Sequence, residues 1–318
     1  MGDSATALHR AFEFLKDMDI LCVTGGLGET HDDVTKSATE SYFTNYEVEE
    51  IPNHNGTASG YHYFKDHHHV ILMPGPPHEN KPMFSVIGNL LPEKKFHPKR
   101  LNLTGIGEVD IEKRVKDIIR DEDFATYVGI SNTALMIQDL SKVDAIKLAL
   151  KDYIYSEDEM TLEEAILSLL RKKNLTLATA ESVTSGIIAS KLTSISGASD
   201  VYYGGVNVYQ NEAKMVLLGV DEDLLNTYTA VSKEASEALS KKLKEKTKAD
   251  VCLSITGYAE HEDKDLAGIC YVDILGPFGH YQYSKKLRYQ REKNREAMSV
   301  FALYSLEKLL LNFCESNV

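Results

Sequence analysis

Residues 175–214 read LTLATAESVTSGIIASKLTSISGASDVYYGGVNVYQNEAK, and the division of that run decides the fold. Apolar β-formers lead into Glu181 and Ser182, small residues follow at Thr184, Ser185 and Gly186, and an apolar helical pattern begins at Ile187. The order predicts a strand, a turn and a helix, with Ser182 at the handover. A hydroxyl placed there lies beside backbone N–H groups that have no intrahelical partner. It suits either a helix N-cap or a nucleophile with a ready-made oxyanion hole. A strand at 205–209, a helix from 213, a Ser232-capped helix to 246, strands at 251–255 and 268–275, and a helix from 294 continue the alternation. That pattern predicts an α/β/α sandwich with ligands at the strand ends.

Five short motifs recur in order along this half: residues 176–186, 197–199, 204–214, 230–232 and 255–257. They resemble TLATAESCTGG, GSS, GGVVAYSNEAK, AVS and the VTG or ITG turn of the CinA family, whose C-terminal domains are nicotinamide mononucleotide amidohydrolases. Val183 stands where that family has Cys, and Ser185 where it has Gly. The resemblance implies Ser182 as nucleophile, Lys214 as its base and Ser199 as a relay between them. It also implies that Thr184, Gly186, Tyr209 and Asn211 line the substrate and that Thr256 and Gly257 add donors. Read without it, Lys214 is a solvated helix lysine or a base whose proton is shed through burial.

Residues 287–295 resemble the family pattern F-x-GDR-x-x-x-R, which implies that Arg291 and Arg295 hold the substrate's 5′-phosphate, guanidinium groups being suited to bidentate phosphate binding. Tyr289 and Gln290 replace the Gly and Asp of that pattern. The loop at 258–267, YAEHEDKDLA, is acidic and is expected to disfavour an anion.

Upstream, an amphipathic helix at 7–17 and a strand at 19–24 precede Gly25, Gly26 and Gly28. Glycines after a strand make an ordinary tight turn or let backbone amides approach a phosphate. Residues 24–35, TGGLGETHDDVT, resemble the family's TGGLGPTHDDLT, from an N-terminal domain that shares its fold with molybdopterin-binding proteins. Residues 52–60 and 70–84 are similar to its PN-x-x-GTA-x-G and LPGPP-x-E-x-KPMF segments. The resemblance implies a nucleotide-like or pterin-like ligand against Gly25, Gly26, Gly28, Thr57, Gly75 and Pro76. The resemblance also implies Asp32 and Asp33 as its acid–base groups or as ligands for a divalent metal, as in ADP-ribose hydrolysis. Family members carry about fifty further residues before this segment and a longer insertion ahead of the PN motif. The chain is therefore expected to have an open sheet edge and a reduced ligand-binding capacity.

Residues 100–108, RLNLTGIGE, with Ile111, Val115, Ile118 and Ile119, resemble the family's GIGES motif and predict strand, glycine turn and helix. Further strand is expected at 127–138 and helix at 145–155. Thr161 to Glu164 forms a capping box that opens a new domain. The expected plan is a shortened molybdopterin-binding-like α/β domain at 1–94, a small α+β connector at 95–159, and the sandwich at 160–318.

Composition narrows the function. The 318 residues are 43% hydrophobic and carry a net charge of −13, which argues against nucleic acid and anionic membranes as partners. No apolar run approaches the ~18 residues that span a bilayer. The four cysteines lack any C-x-x-C spacing, so no disulfide framework or zinc site is suggested and a reducing cytosol is the expected compartment. His62, His67, His68 and His69 read as a solvated hairpin tip, because consecutive side chains on a strand point to opposite faces. The leading expectation is amide hydrolysis of a pyridine nucleotide by a homodimer, with no cofactor. The alternatives are a catalytically silent binding or assembly protein and metal-dependent pyrophosphate hydrolysis by the N-terminal domain.

Overall fold

The computed structural model describes residues 4–28, 30–88, 98–129 and 132–315. The chain divides into two compact units, Met1–Lys95 and Phe96–Val318. The expected boundary at 94 and 95 lies outside the described residues, and the connector shares a unit with the sandwich. No described helix is long and apolar enough to cross a membrane.

The first unit contains α1 (Ala5–Phe14), β1 (Ile20–Thr24), α2 (Thr35–Tyr42), β2 (Glu47–Ile51), β3 (Gly60–Lys65), β4 (His68–Met73) and α3 (Pro77–Gly88). Its sheet runs β1-β4-β3-β2, with β1 parallel to β4 and the other pairs antiparallel. Phe12 of α1 packs with Phe43, Tyr63 and Val70 on one face. Asp66 takes φ 53° in the β3–β4 turn, as a hairpin tip requires. His62 departs from the expected solvated tip: it is buried, and its Nε2 lies 3.0 Å from Nδ1 of His69. The strand period turns these two rings to one shielded face while His67 stays in the turn.

The second unit begins with β5 (Lys99–Thr104), α4 (Glu108–Val115), β6 (Phe124–Val128), β7 (Asn132–Ile137), α5 (Val143–Leu150) and β8 (Ile154–Ser156). These strands form an antiparallel sheet in the order β6-β7-β5-β8. Leu101, Leu103 and Leu135 meet Ile111, Val115 and Ile146 of the two helices in its core. The capping box then starts α6 (Leu162–Lys173): Thr161 Oγ1 accepts from the Glu164 N–H at 3.2 Å, and the Thr161 N–H donates to Glu164 Oε2 at 2.7 Å.

The remaining elements are β9 (Leu177–Glu181), α7 (Ile187–Thr193), β10 (Tyr202–Asn207), α8 (Asn211–Ala213), α9 (Glu222–Tyr228), α10 (Lys233–Thr247), β11 (Val251–Gly257), β12 (Ile269–Gly276), β13 (Gly279–Lys286) and α11 (Arg291–Glu315). The sheet order is β10-β9-β11-β12-β13, parallel across the first three strands and antiparallel beyond. Ile166, Leu170, Ile188, Leu192, Leu303 and Leu306 cover one face against Leu253 and Val272. Leu225, Leu239 and Leu243 cover the other against Ala178, Ala180 and Cys252. The three-layer α/β/α sandwich expected from the alternation is therefore present, with β9 fully buried between β10 and β11.

Candidate active site

β9 ends between β10 and β11, and the chain leaves the sheet there through residues 182–186. The Ser182 N–H still donates to Ile255 O of β11 at 3.0 Å, so the hydroxyl-bearing residue is fixed to the rigid sheet rather than to a loop. The turn closes with left-handed backbone at Ser185 (φ 49°) and Gly186 (φ 94°). A glycine takes that conformation without strain; a serine does not.

Glu181, the last residue of β9, is buried and its carboxylate accepts three backbone N–H groups. Oε2 takes those of Gly186 (3.0 Å) and Ile188 (3.1 Å), and Oε1 takes that of Ala189 (2.8 Å). An anion placed there complements the orphan amides and the positive end of the α7 dipole. This corrects the expectation that the opening of the helix supplies the oxyanion hole, because Glu181 already occupies those donors. Between Ser182 and the helix, the amides of Val183, Thr184 and Ser185 make no hydrogen bond within the described residues. The sequence missed Glu181 because a carboxylate at a strand end reads as surface; its signal was its place three residues ahead of a small-residue turn.

Lys214 enters from the opposite side. α8 passes into a wide, i→i+5 turn over Lys214–Leu218, a bulge type common at functional positions. The lysine is one of the largest fully buried side chains. Its Nζ donates to Ser182 Oγ (3.2 Å), Val208 O (2.8 Å) and Tyr209 O (3.2 Å). Burial pushes its pKa down to about 8, since no carboxylate offsets the desolvation of the ammonium. Ser182 and Lys214 line a cavity of about 270 Å³ with Val183, Tyr209, Val231, Gly257, Tyr258 and Arg291. At Gly257 a Cβ would come within 2.7 Å of Ile269 O, so only glycine fits that wall.

Several expected residues stand elsewhere. Ser199 is exposed in the turn that feeds β10, beside the start of β9, because Tyr202 pairs with Leu177. Parallel strands put that turn at the end of the sheet opposite Ser182, so Ser199 is no relay. Arg295 donates from Nε to Val183 O (3.1 Å) and from Nη2 to Thr184 O (3.0 Å), so it braces the serine turn instead of awaiting a phosphate. Thr256 is buried and donates to Ala230 O at 2.7 Å, which commits its only hydroxyl proton to the cavity wall. Asn211 is exposed at the start of α8 and does not line the cavity. Thr184 is buried beside Ser182 with Oγ1 lacking a hydrogen-bond partner. Gly186 packs against Asn207, whose Nδ2 would lie 3.1 Å from an added Cβ. Arg291 donates from Nη2 to Tyr209 OH at 2.8 Å and remains exposed at the mouth.

Beyond the mouth lies a larger recess of about 740 Å³ that shares Ala259, Glu260 and Arg291 with the first cavity. The acidic loop at 258–267 does not make it acidic. Of that loop's charged residues only Glu260 and Lys264 line it, joined by Lys286, Arg288 and Arg291. Asn294 holds its floor, with Nδ2 donating to Ala259 O and Tyr289 O, both at 2.8 Å.

In the first unit, Gly25 (φ 91°) and Gly26 (φ 68°) shape the turn after β1. Gly75 lies against Gly25, where an added Cβ would stand 3.5 Å from the Gly25 Cα. Pro76 leads into α3, and Asn53 ties the PN loop to it through Glu79 Oε2 at 2.7 Å. Thr57 is exposed in that loop. Gly28 abuts the carboxylate of Asp33. Asp32 and Asp33 converge on Thr30 Oγ1, each at 2.5 Å. Two carboxylates beside a shared hydroxyl would be the protein's share for an ion of the magnesium type, whose other oxygens come from waters and ligand phosphates. Among the described residues no group of three or more His, Cys, Asp or Glu could hold a metal.

A serine held by the sheet and bonded to a buried lysine, at the carboxyl ends of parallel strands, defines a Ser–Lys α/β protein. The family model described as "CinA C-terminal domain" matches residues 159–310, and "Probable molybdopterin binding domain" matches 1–93. The "CinA-like protein" of Dictyoglomus turgidum is 32% identical over 371 residues, and that of Dictyoglomus thermophilum 31% over 371, each covering 98% of this chain and 90% of the relative. The chain belongs to the CinA family. Both alignments are longer than the chain, so the relatives carry internal segments absent here. Among solved structures, the "competence/damage inducible protein CihA" of Agrobacterium tumefaciens is 28% identical with a TM-score of 0.45, covering 46% of this chain and 93% of its own.

Proposed function

We propose that the chain hydrolyses the carboxamide of nicotinamide mononucleotide to nicotinate mononucleotide and ammonia. The observation that carries this reading is the 3.2 Å hydrogen bond between Lys214 Nζ and Ser182 Oγ inside the 270 Å³ cavity. A serine hydroxyl is too weak a nucleophile for an amide without a base in reach. A lysine titrating near 8 supplies one at neutral pH.

In the first half-reaction neutral Lys214 takes the Ser182 proton as Oγ bonds to the carboxamide carbon. The amide of Val183, unpaired among the described residues and in the cavity lining, is the main-chain donor offered to the resulting oxyanion. The lysine returns the proton to the leaving nitrogen, the C–N bond breaks, and ammonia departs from an acyl-serine ester. In the second half-reaction Lys214 deprotonates a water that attacks the ester, then gives the proton back to Ser182. Val183 replaces the family's Cys at this turn but removes no main-chain donor, and its side chain packs into the core with Ile188 and Ile255. The test is ammonia release on the full chain: Ser182→Ala abolishes it. Wild-type rates from that variant would displace Ser182 as nucleophile, and no release from wild type would favour a silent binding protein.

A further inference from the structure

Two features of the cleft exceed what a mononucleotide needs. The recess outside the Ser182 cavity is nearly three times its volume, 740 against 270 Å³. Its charged lining is four cations, Lys264, Lys286, Arg288 and Arg291, against the single carboxylate of Glu260. Lys286 is paired with Asp265 at 3.3 Å and Arg291 stands 4.0 Å from Glu260, which leaves Lys264 and Arg288 without a carboxylate partner among the described residues. In a chain of net charge −13, such a hollow favours an anionic occupant. Arg291 lines both cavities and stands where they join. The other three cations lie beyond it, on the far side from the reacting group.

The recess is also built rather than incidental. Asn294 is buried, and its three hydrogen bonds tie the loop after β11 to the loop before α11. The two walls that carry Glu260 and Arg288 are thereby held at a fixed separation. The N-terminal turn of the 25-residue α11 opens onto the same space and adds its partial positive charge.

We infer that this recess takes a second phosphate and the nucleoside attached to it, so that the ligand class of the site is a pyridine dinucleotide in preference to a mononucleotide. The inference rests on the reading that the Ser182 cavity receives a nicotinamide. Of the acidic residues of the 258–267 loop only Glu260 lines the recess, 4.0 Å from Arg291, while Asp265 pairs with Lys286 at 3.3 Å outside the lining.

Isothermal titration of the full chain with nicotinamide mononucleotide and with nicotinamide adenine dinucleotide, at one fixed ionic strength, tests it. Wild type binds the dinucleotide at least about tenfold more tightly, as one further charge-assisted phosphate contact provides. The double variant Lys286→Ala with Arg288→Ala brings the ratio of the two affinities close to one, while Arg288→Lys keeps most of it. Both side chains are exposed, so the variant does not disturb the core. A wild-type ratio near one, a ratio unchanged in the double variant, or no binding of either nucleotide overturns the inference. Ammonia release separates it from the reading it rests on. Turnover of the mononucleotide with an affinity ratio of one sinks the recess alone, and a preserved ratio without ammonia release sinks the hydrolysis alone.

Discussion

Lys214 and Ser185 show how single positions set the chemistry and the strain of one turn. A base must be neutral to accept a proton, and burial holds the Lys214 pKa at about 8. The kcat/KM for ammonia release is therefore expected to rise about tenfold per pH unit below 8 and to level off above it. Steady-state rates between pH 6 and 10 check this, and a flat profile would remove Lys214 from the proton path. Lys214→Met is the better knockout than Ala, since it fills the buried volume. Ser185 holds φ 49° where the family has glycine. Ser185→Gly relieves left-handed strain and is expected to stabilise the chain by about 1 kcal/mol, read from urea midpoints. An unchanged or lower midpoint would show that the serine is held there without cost.

At the scale of elements, α11 carries the clearest liability. Glu307 is fully buried on it, neither oxygen has a hydrogen bond, and Lys308 Nζ stands 3.9 Å from Oε2. Burial pushes its pKa up to about 7. Because the folded value lies above the unfolded one for an acid, this group's favourable contribution is complete below pH 4.5 and is lost as pH rises through 7. From the shift of 4.5 to about 7, the loss reaches about 3 kcal/mol by pH 8. Glu307→Met removes that slope, and urea titrations at pH 5 and pH 8 measure it; equal pH dependence in both chains would contradict it. Elements also show where sequence reading stops. The small-residue turn after β9, the capping box of α6 and the Ser232 cap of α10 were legible because caps and turns are local. β13 escaped because on this exposed edge strand only Tyr281 and Tyr283 mark an apolar face, and two aromatics among polar residues are too short a period-2 pattern to stand out. Ser199 was misplaced for a different reason: proximity in sequence to β10 does not say at which end of a parallel strand a turn lies.

For the molecule as a whole, all the residues assigned to the amide chemistry fall within the unit Phe96–Val318, which has its own cores on both faces of its sheet. A chain shortened to residues 96–318 is expected to retain ammonia release within a few-fold of the full chain. Loss of activity in a fragment whose circular dichroism shows folded α/β structure would mean that the first unit contributes to the site. The architecture and the Ser–Lys pair could be read from motifs, since those residues act where the strands end. The charge of the recess could not, because the 258–267 loop is acidic in sequence and only its placement turns Lys264 inward and leaves Asp265 outside.

The carboxylate of Glu181 also bears on how this chain can vary. Aspartate, one methylene shorter, does not span from β9 to the amides of Gly186 and Ala189 together. Glutamine keeps the length but would turn its own N–H₂ toward one of the same donors. Any other residue leaves the buried Ile188 amide and the half-buried Gly186 and Ala189 amides without this acceptor. The position next to the serine is thus closed to substitution by the fold alone, so its identity persists whether or not the serine is active. A lineage that abandoned the chemistry would lose Ser182 and Lys214 while still keeping Glu181.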